Sequence, residues 1–472
     1  MQANYDQDSA EEIESFGKHL LNRTLRTQPG MLPIPEKLLD TEIGGATRGS
    51  FGNILESYYY GINPGNDSAP DFPRAGVELK STPLKRLSKG GYSAKERLVL
   101  GMINYRKEGE ITDFEESGVI KKNAVIMLVS YEHQAGRAAV DHPVRVAGLV
   151  KFKELSEKDQ LIIKQDWKKI TEKIRANRAH ELSEGDTDYL GACTKAATGE
   201  NRTKQMDGSE AKPRAFSLKS GYMTVLLRQM LAPEKASEEF EEAVDAKDLA
   251  AKSLEEEILS RFAPHIGKMV KEIHAAVGDG LSLTAKDYYA SLARRMIGVR
   301  GKKIEEFEKA EITMKTIQLR ADGMPKEDMS FPTMRFTNLV EEDWEAPDED
   351  GENPPSAFRL QLQKRFLFVV YRCDKKCEKA EERRLEKAFF WTMPHDTLES
   401  EVKSVWNRMK NAVINSDSAK FPKKSDNPVA HVRPHASNAA DTFLLPDGTP
   451  ATKRCFWLDK KFIKKVINEY GS

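Results

Sequence analysis

Asp71, Glu78 and Lys80 stand together in the stretch DFPRAGVELKST. Two carboxylates of this kind offer hard oxygen ligands to Mg2+, a cation that keeps part of its water shell and bridges to phosphate oxygens. A cation held there polarises a phosphodiester and acidifies a bound water, while a neighbouring lysine orients the attacking water and offsets developing negative charge. The same spelling also fits a solvent-facing strand whose Glu78 and Lys80 form a surface pair of little energetic weight. The residue types alone leave both readings open. For the chemical one, the elements must do specific things. Glu78 and Lys80 are two apart, so on a strand they share a face while Val77 and Leu79 enter the core. Asp71 must reach that face across a turn, and 71–84 reads as a hairpin with DF on one arm, PRAG at the turn and VELKSTPL on the other. Glu56, on the short helix SFGNILESYYYG just before, is either a third acid of the site or an exposed helix residue.

Net charge does not reveal a polyanionic partner, because Lys+Arg and Asp+Glu both count 74. Local clusters have to carry that argument. Lys195, Arg202, Arg214 and Lys219, in CTKAATGENRTK and KPRAFSLKSGY, could meet DNA phosphates and base edges, or could be solvated residues of two loops and a strand. Four cysteines, Cys193, Cys373, Cys377 and Cys455, are too few to staple a secreted scaffold of 472 residues. The polar start has no apolar leader, and the longest apolar runs, such as AVIMLVSY, are strand-sized. The expectation is a soluble cytoplasmic protein without a membrane span. Cys373 and Cys377 have a zinc-like spacing but no second ligand pair, so a structural zinc is not expected.

A chain of this length exceeds one ordinary core and predicts two or three domains. Helical patterns at 9–29, in AKERLVLGMINYRK and in EKDQLIIKQDWKKITEKIRAN alternate with strand patterns in AVIMLVSYEH and VRVAGLVKF, which predicts a mixed α/β fold. The highly charged stretch 233–258 reads as a solvated connecting helix between domains 1–232 and 259–472. The acidic, Pro- and Gly-containing stretch 342–356 reads as a surface loop.

The second domain echoes the first. Laying 70–84 over 305–319 without a gap matches Phe72 with Phe307, Ala75 with Ala310, Lys80 with Lys315 and Leu84 with Leu319. Glu306 keeps the acid of Asp71, but Thr313 replaces Glu78. Downstream, 188–223 is echoed by 428–463, with Arg214 matching Arg454, Phe216 Phe456, Leu218 Leu458 and Lys195 His435. The chain therefore reads as two copies of one domain, the first equipped for chemistry and the second lacking one of the paired carboxylates.

The ordered set RGSFGNILE, DFPRAGVELKSTPL, AKERLVLGMINY, DYLGACTKAAT and RAFSLKSGYM closely resembles the MutH/Sau family of GATC-recognising DNA endonucleases, over most of residues 44–230. The resemblance implies a restriction-endonuclease-like fold, a mixed sheet flanked by helices, here in two tandem copies. It implies Asp71 and Glu78 as Mg2+ ligands, Lys80 as the catalytic lysine, Glu56 as the additional helix acid, and Lys122, or alternatively Lys121, as a further lysine. It places Lys195 and, in a second segment, Arg214 and Lys219 on DNA. Ser217 stands where the mismatch-repair branch has a tyrosine associated with sensing adenine methylation, which favours a type II restriction enzyme over a methyl-directed nickase. In the double-length branch the C-terminal domain binds a second recognition site as an effector, and Arg433, His435, Asn438, Arg454 and Lys460 suit that task. Double-strand cutting at a palindrome, 5′ of the G, then implies two chains meeting on DNA, with looping between sites. A non-cleaving regulator on a decayed nuclease fold is the other alternative, against which the complete Asp71, Glu78 and Lys80 set argues.

Overall fold

In the computed structural model, which describes residues 4–40, 50–63, 65, 69–88, 90–195, 201–345, 354–375, 377, 379–438 and 440–470, the chain divides into two units. The first takes in 1–254 and 303–311, the second 255–302, 312–347 and 353–472. The glycine-rich approach at 43–49, residues 196–198 of the TKAAT segment and the middle of the acidic 342–356 stretch lie outside the described residues.

The strands of the first unit are β1 (Val77–Arg86), β2 (Tyr92–Ala94), β3 (Leu98–Met102), β4 (Val125–Glu132), β5 (Val144–Lys151), β6 (Leu190–Thr194), β7 (Thr203–Lys204), β8 (Glu210–Ala211) and β9 (Arg214–Leu218). They form a sheet of order β2-β1-β4-β5, a sheet of order β3-β9-β6 and a small β7-β8 hairpin. β1 runs parallel to β4, and β5 returns antiparallel. Val77 and Leu79 join Met127 and Val129 of β4 in a core closed by Tyr60, Phe72 and Phe16, which leaves Glu78 and Lys80 on the other face. The near-continuous apolar run of β4 follows from its central place, buried from end to end after Val125.

The second unit contains β10 (Thr313–Leu319), β11 (Met329–Met334), β12 (Phe366–Arg372), β13 (Arg384–Trp391), β14 (Ala430–Pro434), β15 (Thr442–Leu444), β16 (Pro450–Thr452) and β17 (Arg454–Leu458). Its sheets have the orders β10-β12-β13 and β11-β17-β14, with a β15-β16 hairpin. The directions repeat those of the first unit: β10 parallel to β12, then β13 antiparallel. The registers repeat too. Leu190 faces Leu218 and Thr194 faces Arg214, as Ala430 faces Leu458 and Pro434 faces Arg454. An irregularity between Ser130 and Tyr131 recurs between Val370 and Tyr371.

Two local expectations come out differently. Leu98–Met102, inside the expected helix AKERLVLGMINYRK, is strand β3, because Leu98 and Leu100 alternate with less buried neighbours and the strand pairs with β9 through Leu98, Val99, Gly101 and Met102; only Tyr105–Glu110 is helical. The 233–258 stretch is not one solvated rod: Pro233–Glu239 and Ala246–Leu249 are short helices, and Phe240, Ala243, Val244, Leu249 and Leu254 are buried. Sparse apolar positions spaced irregularly hide such burial from a periodicity search. Cys373 and Cys377 form a disulfide, while Cys193 and Cys455 are free and buried. Among the described residues no helix is long and apolar enough to cross a membrane.

Candidate active site and nucleic-acid interface

The turn that delivers Asp71 is tight. Phe72 and Val77 exchange backbone hydrogen bonds of 2.9 and 3.2 Å, and Gly76, at φ +67°, supplies the left-handed residue that brings the chain back. The first arm of the hairpin is thus a single bridge. Asp71 is fixed at both ends: its N–H donates to Glu78 Oε2 at 3.2 Å, and its Oδ2 accepts the Leu79 N–H at 2.9 Å. On β1, Lys80 Nζ donates to Glu78 Oε1 at 2.6 Å, the same-face contact that strand alternation predicts. Lys122 Nζ lies 3.5 Å from the same oxygen. It arrives from the last turn of helix Gly118–Asn123, which feeds β4 beside β1. Lys121, the alternative, turns away to Glu116.

The Glu78 side chain is only 2% exposed. Burial raises its carboxyl above the ordinary carboxylate value, and Lys80 opposes that rise. Glu56 sits in a π-helical turn, Leu55–Tyr60, that continues helix Ser50–Ile54. Gly52 lets that helix lie close on β1, since a Cβ there would stand 3.2 Å from Ser81 Oγ. The Glu56 carboxyl is pushed up to about 7, first by burial and then by the charge of Asp71, against the pull of Lys80. The acids of the site therefore sense one another's charge, and their carboxylate oxygens are donors suited to a hard cation. Among the described residues no three His, Cys, Asp or Glu side chains converge into a ready cage. Asp71 and Glu78 alone still fit Mg2+, which takes few protein ligands and retains water.

The expected DNA contacts of the first unit separate into two kinds. Lys195, just past β6, is half-buried, and Arg202 is exposed with its guanidinium on the Asn201 carbonyl. Arg214 instead donates to the Ala192 carbonyl at 2.9 Å, and burial lowers its pKa. Lys219 is buried, its ammonium on the Thr187 carbonyl. Ser217 is fully buried. Sequence reasoning overlooked Asp166, whose carboxylate accepts the N–H groups of Asp188 at 2.7 Å, Tyr189 at 2.6 Å and Leu190 at 2.9 Å, and so fixes the start of β6. Its signal was there: Ile162, Asp166 and Ile170 recur every fourth residue, which puts Asp166 on the buried face of helix Glu157–Arg175.

In the second unit Arg433 donates to Asp328 Oδ2 at 2.9 Å and covers the Trp457 ring at 5.0 Å. His435 meets Thr333 Oγ1 at 3.0 Å. Asn438 Oδ1 accepts the Ala440 N–H at 2.9 Å, which ties it into its own loop. Arg454 lies over Phe421 at 5.1 Å, and the Lys460 N–H donates to Asp328 at 2.9 Å. Lys315 lies over Phe331 at 5.8 Å, and burial lowers its pKa. Glu306, the sequence counterpart of Asp71, lies on helix Glu305–Ala310 of the first unit. There it is 0% exposed, pairs with Lys158 at 2.7 Å and accepts the Ala243 and Val244 N–H groups.

Residues 60–166 match the family model described as DNA mismatch repair enzyme MutH. The chain is also similar to the type II restriction enzyme Sau3AI of Staphylococcus aureus, with 34% identity over 90% of this chain and 93% of that protein. The family-model match contains Asp71, Glu78, Lys80 and Lys122, and stops short of the second unit.

Proposed function

Because the chain belongs to the MutH/Sau-type family and is a restriction endonuclease, we propose that it uses Mg2+ to hydrolyse both strands of duplex DNA at GATC, 5′ of the G. The observation that carries this reading is the convergence of Lys80 and Lys122 on Glu78, with Asp71 tied to the same carboxylate through its own N–H. Asp71 and Glu78 would hold Mg2+. The bound cation supplies Lewis acidity toward the scissile phosphate and lowers the pKa of a coordinated water. Lys80 Nζ, anchored on Glu78, is placed to hydrogen-bond an attacking water, and Lys122 adds positive charge where the phosphorane oxygens accumulate negative charge. Glu56 tunes the site, giving up a proton when a cation approaches.

Half-buried Lys195 and exposed Arg202 are assigned to DNA; Arg214 and Lys219 hold the backbone of the recognition segment while contributing positive charge. The common strand orders, registers and irregularities support reading the chain as two tandem MutH-like domains, with the boundary near 254. With Thr313 in place of Glu78 and Glu306 engaged inside the first unit, Lys315 has no paired acids among the described residues, which supports a second domain that binds a further GATC site as an effector, through Arg433, His435, Asn438, Arg454 and Lys460. Self-association of two chains on DNA, with looping between sites, follows from that arrangement. Digestion of a plasmid bearing several GATC sites tests the reading: Glu78→Ala should abolish cutting in Mg2+ while GATC binding is kept, and a wild-type chain that leaves the plasmid whole sinks it. Parallel digestion of adenine-methylated plasmid separates this enzyme from a methyl-directed nickase, since buried Ser217 offers no aromatic contact to the adenine and equal cutting of both is expected.

A further inference from the structure

In the second unit one buried carboxylate touches three separate basic parts of the chain. The side chain of Asp328, the residue before β11, is 4% exposed. Its Oδ1 accepts Lys424 Nζ at 2.5 Å and the Lys460 N–H at 2.9 Å, the latter at the start of helix Lys460–Glu469. Its Oδ2 accepts Arg433 from β14 at 2.9 Å, with His431 Nε2 at 3.6 Å. Lys424 also reaches Asp459 Oδ2 at 3.2 Å. Burial works against ionisation of Asp328, yet hydrogen bonds from Lys424 and Lys460 keep its carboxyl below the ordinary value.

The acid is inside and the cations lean outward. Arg433 and Lys424 keep 50% and 41% of their side chains exposed, and the Arg433 guanidinium is further confined over Trp457. A planar guanidinium gripped at one edge and stacked on one face loses little freedom when it meets a phosphate, which is how a long flexible cation becomes a directed one. The first unit does something different at the equivalent place: Arg97, before β3, pairs with Glu184, so the sign of the charge is reversed. The second face is therefore rebuilt around an acid and is not a worn copy of the first.

We infer that Asp328 is a positioning residue that orients Arg433 and Lys424 as a pair of contacts to DNA phosphates, with Trp457 as the platform for Arg433. The inference rests on the reading of the second unit as DNA-binding. Its signature is a change of sign. Removing an acid from a DNA-facing surface strengthens binding if charge alone matters, because phosphate attraction dominates affinity. Removing an orienting acid weakens it.

The test uses the full chain with Glu78→Ala, to stop cutting, titrated with a short duplex carrying one GATC, and follows the affinity for the second equivalent bound. Asp328→Asn should weaken that step roughly tenfold, the scale of a lost charge-assisted hydrogen bond. Equal or tighter binding overturns the inference. In a chain already carrying Arg433→Ala and Lys424→Gln, adding Asp328→Asn should change nothing more; a further loss would mean that Asp328 acts through the fold, and would also overturn it. If Arg433→Ala with Lys424→Gln itself leaves the second equivalent intact, the DNA-binding reading of this unit fails instead.

Discussion

Glu56 is an acid whose protonation the site itself sets. Burial and the charge of Asp71 push its carboxyl up to about 7. The folded chain then holds this proton to a higher pH than the unfolded chain does, so the group subtracts stability as pH rises from the ordinary carboxylate range through about 7. Glu56→Gln, which cannot ionise, is expected to raise Tm at pH 8 in chelator and to leave it little changed at pH 4. Excess Mg2+ should shrink the pH 8 difference, since a cation near the acids stabilises the ionised form in the wild type. Scanning calorimetry at the two pH values checks this, and an equal gain at both would contradict the raised pKa. Glu56 also shows where residue-level reading stops. Its sequence position permitted an exposed helix residue or a third acid, and only the packing on β1 of helix Ser50–Ile54, which the π-helical turn continues, decides for proximity.

Helix Glu305–Ala310 illustrates what an element can conceal. Its residues align with the DFPRAG arm of the first hairpin, so the sequence offered Glu306 as the counterpart of Asp71. The element is helical instead, ends at Glu311 with φ +56°, and spends its charges inside the first unit. Lys309 reaches both oxygens of Asp159 at 2.8 Å and Glu305 at 2.7 Å, all buried. Breaking such a cluster leaves unpaired charge in the interior, so Lys309→Ala should cost about 3–5 kcal/mol in urea unfolding. A cost below about 1 kcal/mol, the range of an exposed pair, would show the cluster to be solvated. The same geometry bears on catalysis. Restoring the missing acid with Thr313→Glu in a Glu78→Ala chain should yield no cutting, because Glu306 is held by Lys158 and two backbone N–H groups. Recovered cleavage would mean that the second unit needs no acid from that helix.

At the scale of the whole molecule, two linked DNA-binding units on one duplex gain effective concentration that neither has alone. If the second unit acts as an effector, replacing Arg433 and Arg454 should lower the preference for two-site over one-site plasmid while slow cutting of one-site plasmid persists; an unchanged ratio would assign the second unit another purpose. The echo between the two halves, Glu78 beside Lys80 on one face, and Thr313 in place of Glu78 were legible in the sequence, because strand alternation translates directly into faces. Val77 and Leu79 inside, Glu78 and Lys80 together, and Arg214 repeated at Arg454 are of this kind. Other features depend on partners far away in the chain. Lys122 brought to Glu78, Glu306 drawn into a buried pair and Asp328 joining three basic segments have no local pattern to announce them. A charged side chain looks the same in sequence whether it faces water or a buried counter-charge, and only the tertiary structure brings the counter-charge to it.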